Sequence, residues 1–206
     1  MAGLEWRKYK YVKKNVSRIN LENIDEVTIM KKMLPFILII LFPYFIVLLI
    51  CSLFNEFLMK YICHNNFYLG LFYLFAFWLV AFISAMILCV KNFVNKTDAV
   101  EITRINMVIK IVQVPAYLCI FVVGFVCLLT IFMLGFSFAL VVFDCAAIIL
   151  SGLIGVSAVS RSYAEGMLSQ TEMVIHSILQ FIFCLDVISS IIVFRKIKVA
   201  SIAKKS

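Results

Sequence analysis

A chain of 206 residues that is 65% hydrophobic and 15% charged, with a mean hydropathy of +1.09, is not an ordinary soluble domain, which runs about 45–50% apolar and about 25% charged. It reads as an all-α integral membrane helical bundle. The net charge of +8 gathers at the ends, with eight Lys and Arg in residues 1–32 and five in residues 195–206; with no aromatic-interleaved basic domain, these are flanks beside anionic headgroups, and nucleic-acid binding is not expected.

Residues 1–32 form a basic N-terminal segment. Val12, Val16 and Ile19 recur at helical spacing near Trp6 and Tyr9, so the segment is either a short amphipathic helix on the headgroups or a solvated tail. Asn23 followed by Glu26 has the spacing of a capping box. A transmembrane domain follows over residues 33–194, with spans at about 33–54, 68–90, 105–134, 137–160 and 173–194, each near the ~20 residues that a bilayer requires. Pro43 should kink the first span. Asp98 and Glu101 cap a third helix that starts near Ala99, and its length predicts a bend at Pro115. Gly135-Phe136 is the expected corner of a tight hairpin between the third and fourth helices. Ser169 and Glu172 make a further capping box before the fifth run. Residues 195–206 are a basic tail.

Orientation follows from the cations. With the N-terminus cytoplasmic, most Lys and Arg fall inside, yet five full spans send the basic C-terminus outward against the positive-inside tendency. Four full spans plus one re-entrant or interfacial helix is the alternative.

The polar residues within these runs are the candidate site, because lipid tolerates such groups only with a partner or a purpose. Asn106, Lys110, Gln113 and Tyr117 fall on one stripe of the third helix. They form the wall of a polar pathway or an interhelical hydrogen-bonding face, with Lys110 snorkelling to the headgroups. On the fourth helix Ala147, Ser151 and Gly155 are spaced by four, a seam that admits another helix closely. The fifth run carries His176, Gln180, Asp186 and Ser190. A depth count puts Lys110 ~7 Å into its apolar run, and Asp144 ~24 Å and Asp186 ~20 Å from the cytoplasmic ends of their helices. That separates Lys110 from Asp144 and lets Asp144 and Asp186 share a layer, where two carboxylates would hold a proton or a cation between them.

Enzymatic chemistry is not indicated. No H-E-x-x-H occurs, Gly155-Val156-Ser157 lacks the glycine that completes a nucleophile motif, and there is no Gly-rich phosphate loop. Six of the seven cysteines lie in apolar runs and none belongs to a C-x-x-C; Cys63-His64 is too few ligands for a metal. No cofactor or metal is expected.

The runs EITRINMVIKIVQVPAYLCIF, LSGLIGVSAVSRSYAEG and QFIFCLDVISSIIVFRKIK resemble an uncharacterised family of small polytopic membrane proteins from Firmicutes, mainly clostridia. The resemblance covers roughly the C-terminal half and implies a bacterial plasma-membrane location. The expected function is non-enzymatic: an accessory or partner-binding membrane protein, embedded in the lipid bilayer and contacting another membrane protein or its own copies. The alternative is a small proton- or cation-coupled transporter using Asp144 and Asp186.

Overall fold

The computed structural model describes residues 34–130 and 133–204. The chain divides into an N-terminal unit, Met1–Pro35, and a second unit, Phe36–Ser206, to which every contact below belongs. The expectations for residues 1–32 lie outside the described residues. Among the described residues there are seven helices and no strand. They are α1 (Leu34–Leu53), α2 (Glu56–Cys63), α3 (Phe67–Val94), α4 (Ala99–Leu128), α5 (Leu134–Ala164), α6 (Gln170–Leu179) and α7 (Leu185–Ala203).

Four of them, α1, α3, α4 and α5, are long and apolar enough to cross a membrane. The sequence pattern predicts five. The difference lies in the last run, where residues 173–194 are two helices rather than one. α6 ends at Leu179, the chain is irregular from Gln180 to Cys184, and α7 begins at Leu185. Leu185 N donates to Phe183 O at 2.8 Å, closing a γ-turn on Cys184, whose φ of 65° is strained for a residue with a side chain.

α6 and α7 run antiparallel. Glu172 meets Lys196 at the mouth of the hairpin, His176 meets Ser189 midway, and Gln180 meets Ser190 near the tip. The hairpin therefore enters and leaves at one end of the bundle. The expected capping box at its start is formed, with Ser169 Oγ accepting from Glu172 N and the Glu172 carboxylate accepting from Ser169 N.

α5 is the central helix and packs on α3, α4, α6 and α7. It lies antiparallel to α4 and is pinned at both ends. At the Leu128 end Ser137 Oγ donates to Gly124 O at 2.9 Å. At the Ala99 end Ala99 N donates to Glu165 Oε1 at 3.1 Å, and Arg161 bonds both Thr97 O and Glu165. α4 ends at Leu128 and α5 starts at Leu134, so the corner comes earlier than the Gly135-Phe136 expected; both of those residues already belong to the first turn of α5. α4 runs unbroken through Pro115 as one helix of 30 residues, about 45 Å.

The main core is shared by α1, α3, α4 and α5, with Ile39, Phe42, Leu74, Ile120 and Ile154 buried within it. A smaller cluster of Ala99, Val159, Val193 and Ile197 seats α7 at the Ala99 end. Outward faces are apolar as well: Phe72, Phe75, Ile83, Leu118 and Phe121 are exposed. The polar side chains Asn106, Lys110, Gln113 and Gln180 are buried.

Candidate functional site

Lys110 stands 11 residues into α4, about 16 Å from its start. The helix begins at Ala99, so the lysine is deeper than its distance from the apolar run suggests, and it does not snorkel: its side chain is 0% exposed. An ammonium has three N–H donors, and each finds an oxygen. Nζ lies 2.7 Å from Asp186 Oδ2, 2.9 Å from Ser151 Oγ and 3.3 Å from Gln180 O. That last carbonyl is available because the chain leaves its helix at Gln180, so nothing further along takes it up.

Asp186 occupies the first turn of α7, where the positive end of the helix dipole favours a carboxylate. Its second oxygen accepts from Val187 N at 2.8 Å. The ion pair is thus complete in charge and in hydrogen bonds, the condition under which a buried pair holds together. It joins α4 to α7 across a separation of 76 residues.

A second layer of amides and hydroxyls lies beside it. Asn106 Nδ2 donates to Ser190 Oγ at 2.9 Å and reaches Gln180 Oε1 at 3.5 Å. Ser190 Oγ is 2.8 Å from Asp186 O. Gln180 Nε2 reaches Ser189 Oγ, which is 2.9 Å from His176 Nδ1. At the mouth of the hairpin, the Lys196 ammonium bonded to Glu172 draws that carboxyl down to about 2.

The stripe on α4 divides its work. Asn106 and Lys110 face the hairpin, whereas Gln113 faces α1 and donates from Nε2 to Ile39 O at 2.8 Å. The reason is in the sequence: Pro43 has no N–H, so the carbonyl four residues before it loses its intrahelical donor, and Gln113 replaces it. Tyr117 O–H donates to Gln113 Oε1 at 3.2 Å and sets its ring edge-on to Phe183 at the hairpin tip.

The seam on α5 receives the hairpin. Ser151 bonds Lys110 directly. A Cβ on Gly152 would lie 2.7 Å from Phe181, and one on Gly155 would overlap the side chain of Gln180. Ala147 is buried one turn away. Gly152 belongs to this seat as well as the four-spaced residues; it falls between them in sequence, and only the width of the incoming turn brings it into use.

Asp144 stands apart from this cluster. The hydrogen bonds of Asp186 go to Lys110 and Val187. Asp144 lines a separate cavity of about 120 Å³ with Gly124, Ser137 and Leu140, and its Oδ1 is buried with no hydrogen-bond partner among the described residues. Among the described residues no group of three or more His, Cys, Asp and Glu is arranged to hold a metal ion. Compared with models of protein families, with curated proteins and with solved structures, the chain matches none.

Proposed function

We propose that the chain is a multi-pass protein of a bacterial plasma membrane, non-enzymatic, with its N-terminus cytoplasmic, serving as an accessory or partner-binding subunit. The observation that carries the membrane reading is the inverted distribution of polarity. Lys110, Gln113, Gln180 and Asp186 are at most 2% exposed, while Phe72, Ile83, Leu118 and Phe121 are turned outward. A bundle in water has the opposite arrangement; lipid demands this one.

On this reading α1, α3, α4 and α5 cross, and α6–α7 is re-entrant. At about 1.5 Å per residue, the 10 residues of α6 descend about 15 Å, roughly half of a ~30 Å hydrocarbon core. The hairpin returns the chain to the side it came from, which removes the conflict in charge. Lys60 becomes the sole Lys or Arg on the far side, and the basic tail joins the basic N-terminus and residues 91–104, as the positive-inside tendency requires.

The closed Lys110–Asp186 pair supports a clamping role for the polar cluster rather than a conducting one, since no N–H of the ammonium is left for a passing solute. The test is carbonate extraction of native membranes, followed by protease accessibility of a C-terminal epitope tag. Retention in the pellet and digestion only in inside-out vesicles are expected. Release by carbonate would overturn the membrane reading, and digestion from outside would overturn the re-entrant one.

A further inference from the structure

The groove between α4 and α5 is longer than the hairpin that fills it. α6 and α7 cover it from the Ala99 end as far as Phe183, which stacks on Phe121 with ring centroids 6.1 Å apart. Beyond Phe121 the groove continues to Gly124, Ser137 and Asp144, which line one cavity. This second half repeats the ingredients of the first: a glycine, a serine and one ionisable side chain. The difference is what lies on top. In the first half Gly152 and Gly155 are pressed by Phe181 and Gln180. In the second, a Cβ on Gly124 would meet only Leu140 and Ser137, at ordinary contact distances of 3.7 Å and 3.9 Å. Both belong to α5, so among the described residues no third element lies over this glycine.

We propose that this second half is the docking site of a partner's transmembrane helix carrying a lysine or arginine at mid-depth, opposite Asp144. The proposal rests on the membrane reading above and names the contact that a partner-binding subunit would use. Charge complementarity selects the occupant. Asp144 Oδ1 has no donor, and a carboxylate within lipid calls for a cation or a hydrogen-bond donor. An acyl chain has neither. Nor, among the described residues, does a second copy of this chain supply a cation at that level. Lys91, Arg104 and Arg161 all lie within about one and a half turns of the Ala99 end of the bundle, Arg195, Lys196 and Lys198 flank Val193 and Ile197 at that same end, Lys60 lies at the opposite end in α2, outside the four long helices, and Lys110 is fully engaged with Ser151, Gln180 and Asp186. The first half of the groove shows the pairing that the second lacks, with an ammonium from one helix meeting a carboxylate from another over a glycine seam.

The test reconstitutes the full chain in phosphatidylcholine vesicles with a labelled 21-residue poly-leucine helix bearing one central lysine, and reads association by energy transfer. The lysine peptide should bind about tenfold more tightly than the same helix with leucine at its centre. Asp144→Asn should erase that preference. Asp144→Lys should transfer it to a peptide with a central aspartate, a gain that loss of folding cannot mimic. Equal binding of the lysine and leucine peptides to the unaltered protein would overturn the proposal, as would a preference that survives Asp144→Asn. Sodium or potassium bound by the unaltered protein and lost in Asp144→Asn, with no peptide preference, would assign the carboxylate to a small cation and overturn it too. Failure of the membrane reading is seen separately, as protein not retained in the vesicles before any peptide is added.

Discussion

The two halves of the α4–α5 groove have similar side chains and opposite outcomes. Towards Ala99, the glycines are covered and the ammonium of Lys110 has an oxygen for each of its three N–H groups. Towards Leu128, among the described residues, Gly124 is uncovered by any third helix and the carboxylate of Asp144 keeps an atom without a partner. The contrast shows that an ionisable residue in an apolar bundle is not inherently a weak point or a working part. What matters is whether a second element brings enough donors and acceptors to complete it.

The widest separation between the halves should come from their charges. Lys110→Met leaves Asp186 buried without its counter-ion and should cost about 3–5 kcal/mol. The double variant Lys110→Met with Asp186→Leu should be less destabilised than Lys110→Met alone, because no unpaired charge remains. Unfolding measured in mixed micelles decides both. A double variant as unstable as the single would mean that the pair does not act as a unit.

The glycines offer the next largest contrast, and it is one of sign. Gly155→Ala places a methyl into the Gln180 side chain and should destabilise by about 1–3 kcal/mol. Gly124→Ala meets ordinary contacts and should be neutral or stabilising by up to about 1 kcal/mol, since alanine favours a helix. Equal effects in the same unfolding assay would contradict the difference in cover.

The smallest effect is expected from Asp144→Asn in the isolated protein, within about 0.5 kcal/mol. A larger loss would reveal a partner for that carboxylate inside the chain itself.

The four long apolar helices were legible from hydropathy, because length and the absence of charge are what crossing a bilayer requires. The break in the last run was not. FIFCLD has no glycine or proline to mark a turn, and its φ of 65° falls on a cysteine. Two weaker signals were present: polar groups at His176, Gln180, Asp186 and Ser190, too frequent for a lipid-facing span, and a basic tail that five crossings put on the wrong side. The depth of Lys110 depends on where it is counted from. Measured from the point where the run turns apolar it is shallow; measured from Ala99, where the capping pattern already puts the helix start, it lies 11 residues in. The link from Pro43 to Gln113 through Ile39 O was open to inference only in part. Pro43 announces an orphaned carbonyl, but which distant amide serves it is fixed by packing.

The order of synthesis gives the buried ion pair another consequence. Asp186 follows Lys110 by 76 residues, and at about 5–20 residues per second the ribosome needs roughly 4 to 15 s to make that stretch. On the membrane reading proposed above, for that interval the ammonium lacks Asp186, the carboxylate it pairs with in the folded chain, in a helix otherwise apolar enough to leave the aqueous channel. On that reading the nascent protein must either delay the lateral exit of α4 or shelter its lysine with water, another carboxylate or a component of the insertion machinery until Asp186 arrives. Lys110→Met would relieve that wait even as it weakens the finished bundle, so faster insertion and lower stability should appear in the same variant.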